Sequence, residues 1–190
     1  GLVSALHATG GGRLLAVANG AEVTHKAVYL PADVPANIAG FVIDPALAPY
    51  LTSRGYARLD SGEALAAWLA ERTRADAPSV VVFGFAQIPP AVIGTDPRVG
   101  PLRADLAAGG KVVWPWGIPN LVTFDAQGKF LAHDPGVAAR LLGIEFMPFQ
   151  DSGNYYSRAT QAGRTWGMPV WLKTGFTALK PGAEVTVLAT

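Results

Sequence analysis

The chain has 190 residues, of which 50% are hydrophobic and 15% charged, with a formal net charge of +1 and no cysteine. This composition excludes a disordered chain, a coiled coil, disulfides, thiolate metal sites and cysteine catalysis. The scattered Lys and Arg form no stripe for nucleic acid, and no apolar run reaches the roughly 18 residues that span a bilayer. Residues 1–12 lack the basic start and apolar block of an intact signal peptide, so a secreted and a cytoplasmic location both stay open.

We expect a flexible lead-in over residues 1–12 and a single α/β domain over residues 13–190. Short apolar segments bounded by Gly, Pro or Asn-Gly predict four strands. Segment SVVVFGF carries the strongest strand signal, because its apolar side chains would face both sides of a sheet, as in a central parallel strand. The predicted strands cover residues 13–18, 56–59, 79–85 and 111–116.

Helical segments alternate with these strands. Residues 37–54 predict a helix broken near Pro45 and Pro49, and a second helix begins after a cap at Asp60 or Ser61. Its Leu65, Trp68, Leu69 and Arg72 would share one face, with Trp68 in the core. Residues 101–108 predict a third helix, whereas 19–35 and 87–100 look irregular. Alternating strands and helices indicate a mostly parallel, doubly wound sheet.

After Trp116 the pattern becomes an irregular, β-rich extension. A hairpin is expected around Asp125 and a helix over residues 135–142. Segment 150–169 is polar and aromatic and has no regular pattern. Further strands are predicted at residues 145–149, 170–174 and 184–188.

Three segments resemble the class I glutamine amidotransferase-like superfamily. They are the VVVFGF run at residues 80–85, PLRADLAAGGKVVWPWGIPN at 101–120 and GVAARLLGIEF at 136–146. The resemblance covers residues 13–146 and implies a flavodoxin-like sandwich. The superfamily includes accessory domains of carbohydrate-active enzymes that have lost their catalytic residues.

Catalytic members of that superfamily carry a cysteine on a sharp strand-to-helix turn, with His and Glu partners. The matching turn here would hold Trp116, Gly117 and Ile118, none of which is a nucleophile. The resemblance therefore implies a domain without amide-transfer activity. Its cleft at the carboxyl ends of the strands would be free to bind another ligand.

Aromatic side chains in the last 80 residues or so could stack on the apolar faces of sugar rings, or they could anchor core and loops. Trp114 and Trp116 would point to the same side of their strand, and Trp116 would stand at its end. Asn120 lies just beyond, and His25 falls in the predicted loop after the first strand. The predicted ligand-binding residues are Trp114, Trp116, Asn120, Tyr155, Tyr156, Trp166 and His25, and Trp171 belongs to the same aromatic group.

Carboxylates near predicted strand ends could form an acid/base pair. Of Asp33, Asp125, Asp134, Glu145 and Asp151, we interpret Asp125 as a turn residue and Asp134 as a helix cap. Glu145 and Asp151 flank the polar aromatic segment and would be the catalytic residues if the chain were an enzyme.

Cofactor and metal motifs are missing from the sequence. His7, His25 and His133 lack metal-ligand spacing, and the residues after the first predicted strand lack a Gly-x-Gly-x-x-Gly pattern. No Gly-x-Ser-x-Gly elbow occurs either. We therefore expect no metal and no cofactor.

The leading expectation is a non-catalytic amidotransferase-like domain that binds carbohydrate, or another small polar ligand, or serves as an accessory module of a carbohydrate-active protein. Nucleic acid and membrane are not expected as partners, whereas a second copy or a neighbouring domain is. The alternatives are a glycoside hydrolase using a loop carboxylate pair and a structural or oligomerisation domain.

Overall fold

The structure is a computed structural model. It describes residues 17–18, 21–22, 25–43, 45–75, 77–114, 123–125, 127–131, 135–142, 155–165 and 170–174.

The first described elements form a small antiparallel pair. Strand β1 (Val17–Ala18) pairs with β2 (Ala21–Glu22). The prediction that residues 13–18 form the first strand of the parallel sheet is therefore wrong for the two described residues. Their partner is the next segment of the chain, and residues 13–16 lie outside the described residues.

The central sheet has four parallel strands. They are β3 (His25–Tyr29), β4 (Ala57–Leu59), β5 (Ser79–Phe83) and β6 (Lys111–Val113), in the order β4-β3-β5-β6. An α/β architecture with a parallel sheet is confirmed. Every residue of β5 is buried, as the sequence predicted for a central strand.

Strand β3 is the first strand of the parallel sheet along the chain, the position predicted for residues 13–18. The sequence predicted no strand at His25–Tyr29, because this segment lies between an Asn-Gly turn and Pro31 and contains Lys26. In the sheet, its Ala27 and Val28 are fully buried. Pairing with strands on both sides therefore outweighs the local turn signals.

Two short helices connect β3 to β4. Helices α1 (Ala36–Val42) and α2 (Leu47–Thr52) confirm the predicted break. After α2, Gly55 has a φ of +82° and donates its N–H to the carbonyl of Thr52. The next residue, Tyr56, donates its N–H to the carbonyl of Leu51 at 3.2 Å. This is the Schellman pattern, and it explains why a glycine stands at the helix exit.

Helix α3 (Gly62–Ala75) leads from β4 to β5. Ser61 caps it, since its Oγ accepts the N–H of Ala64 at 3.1 Å. The predicted apolar face is confirmed, because Leu65 and Leu69 are fully buried and Trp68 packs against the core.

Two helices lie between β5 and β6. The prediction of a plain loop over residues 87–100 is wrong where the chain forms helix α4 (Pro90–Ile93). Pro90 suits the first turn of this helix, because a backbone N–H there would have no acceptor within the helix. Helix α5 (Pro101–Ala107) confirms the predicted third helix, and Gly109, with a φ of +93°, follows its end. Both helices pack against α3.

The later part of the chain adds four elements besides the predicted hairpin. Phe124 pairs with Phe130 in that hairpin, and α6 (Pro135–Leu142) matches the predicted helix. Segment 150–169, predicted without regular structure, contains β7 (Tyr155–Arg158) and α7 (Gln161–Thr165). Strand β7 pairs antiparallel with β8 (Trp171–Thr174). The predicted strands at 145–149 and 184–188 lie outside the described residues.

The described core is one cluster centred on β3 and β5, with Leu65 and Leu69 of α3, Leu102 of α5 and Leu141 of α6 packed on it. None of the described helices is long and apolar enough to cross a membrane.

Truncating the core should show how strongly β5 supports the fold. We expect Phe83→Ala to lower the free energy of unfolding by about 3 to 5 kcal/mol, because Phe83 is fully buried. The matched change Phe130→Ala should cost less than about 1 kcal/mol, because Phe130 is 55% exposed. Urea unfolding of both variants measures the difference, and equal losses would contradict this placement of the core.

Candidate functional site

The path of the chain across the four parallel strands changes direction once. From β3 the chain moves to β4 on one side, and from β4 it crosses back to β5 on the other side of β3. Ligands of open α/β sheets bind outside the carboxyl ends of the strands at such a switch point. The candidate site is therefore the edge where β3 ends at Tyr29 and β5 ends at Phe83. We call it the carboxyl edge.

Backbone hydrogen bonds fix the chain where it leaves these strands. Gly84 donates its N–H to the carbonyl of Tyr29 at 2.7 Å, and Leu30 donates to Leu59 at 2.9 Å. Glycine suits position 84, since a Cβ there would lie 3.0 Å from the same Tyr29 oxygen. These bonds join the chain at the exits of β3, β4 and β5.

An aromatic row crosses the sheet below the carboxyl edge. The ring centroid of Phe83 lies 5.6 Å from that of Tyr29 and 5.0 Å from that of Trp114. Trp114 is only 3% exposed. Of the two roles that the sequence left open for Trp114, the structure places it in the anchoring one, as part of the core.

The start of α3 forms one side of the rim around this edge. It adjoins the loop after β5, because a Cβ on Gly62 would lie 2.8 Å from the Cβ of Pro89. Glu63, in the first turn, is exposed there. It acts on Tyr29 electrostatically and adds to the rise in that residue's pKa.

The hairpin of residues 123–131 forms another part of the rim. Gln87 Oε1, in the loop after β5, accepts the N–H of Phe124 at 2.9 Å. Asn37 Nδ2, in α1, donates to the carbonyl of Gly128 at 3.1 Å. These two bonds hold the hairpin beside the exits of both β3 and β5.

Asp125 holds the turn of this hairpin. Its Oδ1 accepts the backbone N–H groups of Gln127 and Lys129, each at 2.9 Å. Its own N–H donates to the carbonyl of Lys129 at 3.0 Å. The interpretation of Asp125 as a turn residue is confirmed.

The structure places His25 away from the carboxyl edge. His25 begins β3, so the prediction that it lies in a loop after the first strand is wrong; it stands at the amino end of the sheet. Arg72 Nη1, from the end of α3, lies 2.9 Å from His25 Nδ1. Because a guanidinium can only donate, His25 Nδ1 accepts this hydrogen bond.

A buried carboxyl lies at the same amino end. Asp105 of α5 is 2% exposed, and Ser79 Oγ donates to its Oδ1 at 3.1 Å. Its Oδ2 is buried without a hydrogen-bond partner. Burial raises the pKa of Asp105 to about 6, although the bond from Ser79 lowers it. A Cβ on Gly110 would overlap this carboxyl, which explains a glycine there.

Most other predicted site residues lie outside the described part of the chain. These are Trp116, Asn120, Glu145, Asp151 and Trp166. Tyr155 and Tyr156 belong to β7, where they pair with Thr174 and Lys173 of β8. Asp33 lies exposed after β3, and Asp134, His7 and His133 are among the residues not described.

Metal ligands do not cluster in the described ranges, since no group of three or more His, Asp or Glu there could hold an ion. The rim residues Tyr29, Glu63, Gln87 and Asn37 were not selected from the sequence. The available signal was weak: Tyr29 ends an apolar run just before Pro31, and Glu63 looked like an ordinary first-turn acid.

Comparison with known proteins gives a family. The profile of the MJECL34 family matches residues 20–189. The chain belongs to the MJECL34 family. Comparisons with curated proteins and with solved structures found no match. Membership of the MJECL34 family assigns no activity.

The buried carboxyl makes stability depend on pH. The pKa of Asp105 is about 6 in the folded protein against an ordinary 3.8, so the native state binds this proton more tightly than the unfolded chain. The resulting stabilisation of about 2 to 3 kcal/mol is complete below pH 3.8 and is lost as the pH rises to about 6. Asp105→Asn should remove this fall, as measured by urea unfolding between pH 4 and 7.

Ser79→Ala provides the matched test of the same carboxyl. Removing the Oγ donor takes away the bond that lowers the pKa of Asp105, so the fall in stability should extend to higher pH. An unchanged pH profile in both variants would contradict a buried, titrating Asp105.

Proposed function

We propose that the chain is a non-catalytic α/β domain that binds a small hydroxyl-rich ligand, carbohydrate above all, at the carboxyl edge. The observation that carries the proposal is the change in the direction of strand order at β3, since open α/β sheets bind their ligands outside the strand ends at such a point. The polar side chains of Asn37, Glu63 and Gln87 come from three separate segments around the carboxyl edge, which supports a ligand with several hydroxyl groups.

The absence of cysteine supports a binding role over amide transfer. Without a thiol anywhere in the 190 residues, cysteine chemistry is not available to the chain. The resemblance to amidotransferase-like accessory domains then suggests a module beside a carbohydrate-active partner. Trp116, Asn120 and Trp166 would add contacts to the ligand from outside the described residues.

The finer architecture proposed is a doubly wound, flavodoxin-like sheet. The order β4-β3-β5-β6 corresponds to the second, first, third and fourth parallel strands along the chain, which is the start of the flavodoxin-like order. Helices α3, α4 and α5 pack on one another, whereas α1 and α2 make the connection that runs in the opposite direction. Right-handed crossovers would put these two groups on opposite faces.

A carbohydrate array followed by titration calorimetry tests the proposal. We expect at least one saccharide to bind the wild-type chain and Trp116→Ala to weaken it, because stacking on an aromatic ring would be lost. Tyr50→Ala is the control, since Tyr50 lies on α2 beneath the guanidinium of Arg54 and precedes the amino end of β4. No saccharide binding, with no effect of Trp116→Ala, would contradict a carbohydrate-binding domain.

The glycoside hydrolase alternative depends on Glu145 and Asp151. If it is correct, the wild-type chain releases reducing ends from a polysaccharide, and both Glu145→Gln and Asp151→Asn abolish that turnover. Under the binding proposal the wild-type chain shows no turnover. A reducing-end assay on a polysaccharide panel separates the two functions.

An assembly role is the other alternative. Val99, Phe130 and Val170 are large apolar side chains that are 75%, 55% and 48% exposed. Light scattering that finds a dimer, with Phe130→Ser restoring the monomer, would favour it over ligand binding.

A further inference from the structure

The hairpin of residues 123–131 connects the exits of two neighbouring strands. Near its start, the N–H of Phe124 donates to Gln87 Oε1, in the loop after β5, at 2.9 Å. At its turn, the carbonyl of Gly128 accepts from Asn37 Nδ2, in the helix that follows β3, at 3.1 Å. Strands β3 and β5 are paired in the sheet. The hairpin therefore runs across the carboxyl edge from one strand exit to the other.

The turn of the hairpin fits closely against the start of α1. Gly128 is buried there, whereas Gln127 and Lys129 on either side of it are exposed. A Cβ on Gly128 would lie 2.5 Å from Asn37 Oδ1 and 2.9 Å from the Cβ of Pro35. Its φ of +74° also favours glycine. Glycine thus suits both the backbone of the turn and its contact with α1.

Hydrogen bonds inside the hairpin hold its shape. Asp125 Oδ1 accepts the N–H groups of Gln127 and Lys129. The N–H of Leu131 donates to the carbonyl of Thr123 at 2.8 Å, between the two arms of the hairpin. Because these bonds join the hairpin to itself, they do not depend on its position over the sheet. The hairpin can keep its shape when its bonds to the rest of the chain break.

The outer side of the hairpin is in solvent. Lys129, Phe130 and Leu131 are exposed, and the half-buried Phe124 packs against the core. Much of the apolar surface of the hairpin is therefore already hydrated while it is bonded to the sheet. Segments with few buried apolar contacts are those that open locally in a native protein.

We propose that this hairpin is a strap that opens and closes over the carboxyl edge as one unit, with Asn37 and Gln87 as its two latches. Opening lets a ligand enter or leave, and closing holds it. That role rests on the proposed function, whereas the motion can be measured without any ligand.

Amide hydrogen exchange followed by NMR tests the motion in the Asn37→Ala variant. The Phe124 amide is bonded to Gln87 and reports the attachment of the strap, whereas the Leu131 amide is bonded inside it. We expect exchange at Phe124 to become about fivefold to tenfold faster, the equilibrium effect of one neutral hydrogen bond. Exchange at Leu131 should not change, because a strap that opens as one unit keeps its internal bonds.

Two further variants control this measurement. Asn37→Asp keeps the size of the side chain but cannot donate, so it should behave like Asn37→Ala. Ser53→Ala removes another exposed side-chain bond, from Ser53 Oγ to the carbonyl of Tyr50 at 2.8 Å, and should leave exchange at Phe124 unchanged. Folding is not at risk at position 37, because Asn37 is exposed and alanine favours a helix.

Equal acceleration at Phe124 and Leu131 would overturn the strap, since the hairpin would then unfold instead of moving as one unit. Unchanged exchange at Phe124 in both Asn37 variants would overturn it too, because Asn37 would not be a latch.

The ligand provides a separate arm of the test. A saturating neutral saccharide should slow exchange at Phe124 in the wild-type chain, because a ligand held under the strap favours the closed state. A bound saccharide that leaves this exchange unchanged would overturn the role in ligand entry. If no saccharide binds, the proposed function fails, and the strap still stands or falls on the exchange rates without ligand.

Discussion

The fold depends on the complete burial of β5. Successive side chains of a strand face opposite sides of the sheet, and from Val80 to Phe83 none is more than 3% exposed, so both faces of this strand are covered. Strand β5 also pairs on both edges, with β3 and β6. Because β3 and β5 run parallel and in register, Tyr29 and Phe83 end at the same level. The position of the carboxyl edge follows from that pairing.

Much of the parallel sheet could be predicted because its elements carry local signals. The apolar run of β5, the cap at Ser61 and the glycine after α2 each have a direct physical cause. Strand β3 was missed because its five residues lack such a signal. Their burial comes from neighbours far along the chain, Ser79 to Phe83 above all, and no local pattern reports a pairing of that kind.

The candidate site could be predicted as a place but not as a set of residues. A parallel sheet implies a ligand site at its carboxyl edge, and the sequence analysis placed it there. The choice of residues by type was less informative. Trp114 has the type of a stacking residue but lies in the core, and His25 lies at the opposite edge. Glu63 and Gln87 become candidates only because the start of α3 adjoins the loop after β5 and that loop bonds to the hairpin.

The proposed function depends on the binding of a ligand at the carboxyl edge between β3 and β5. Amide chemical-shift mapping by NMR, with the best-binding neutral saccharide added to the wild-type chain, tests it most directly. We expect shifts at Leu30, Glu63 and Gly84, and none at Lys26 and Ser79 at the amino end of the sheet. Shifts confined to the amino end, or no shifts at all at saturating ligand, would contradict it.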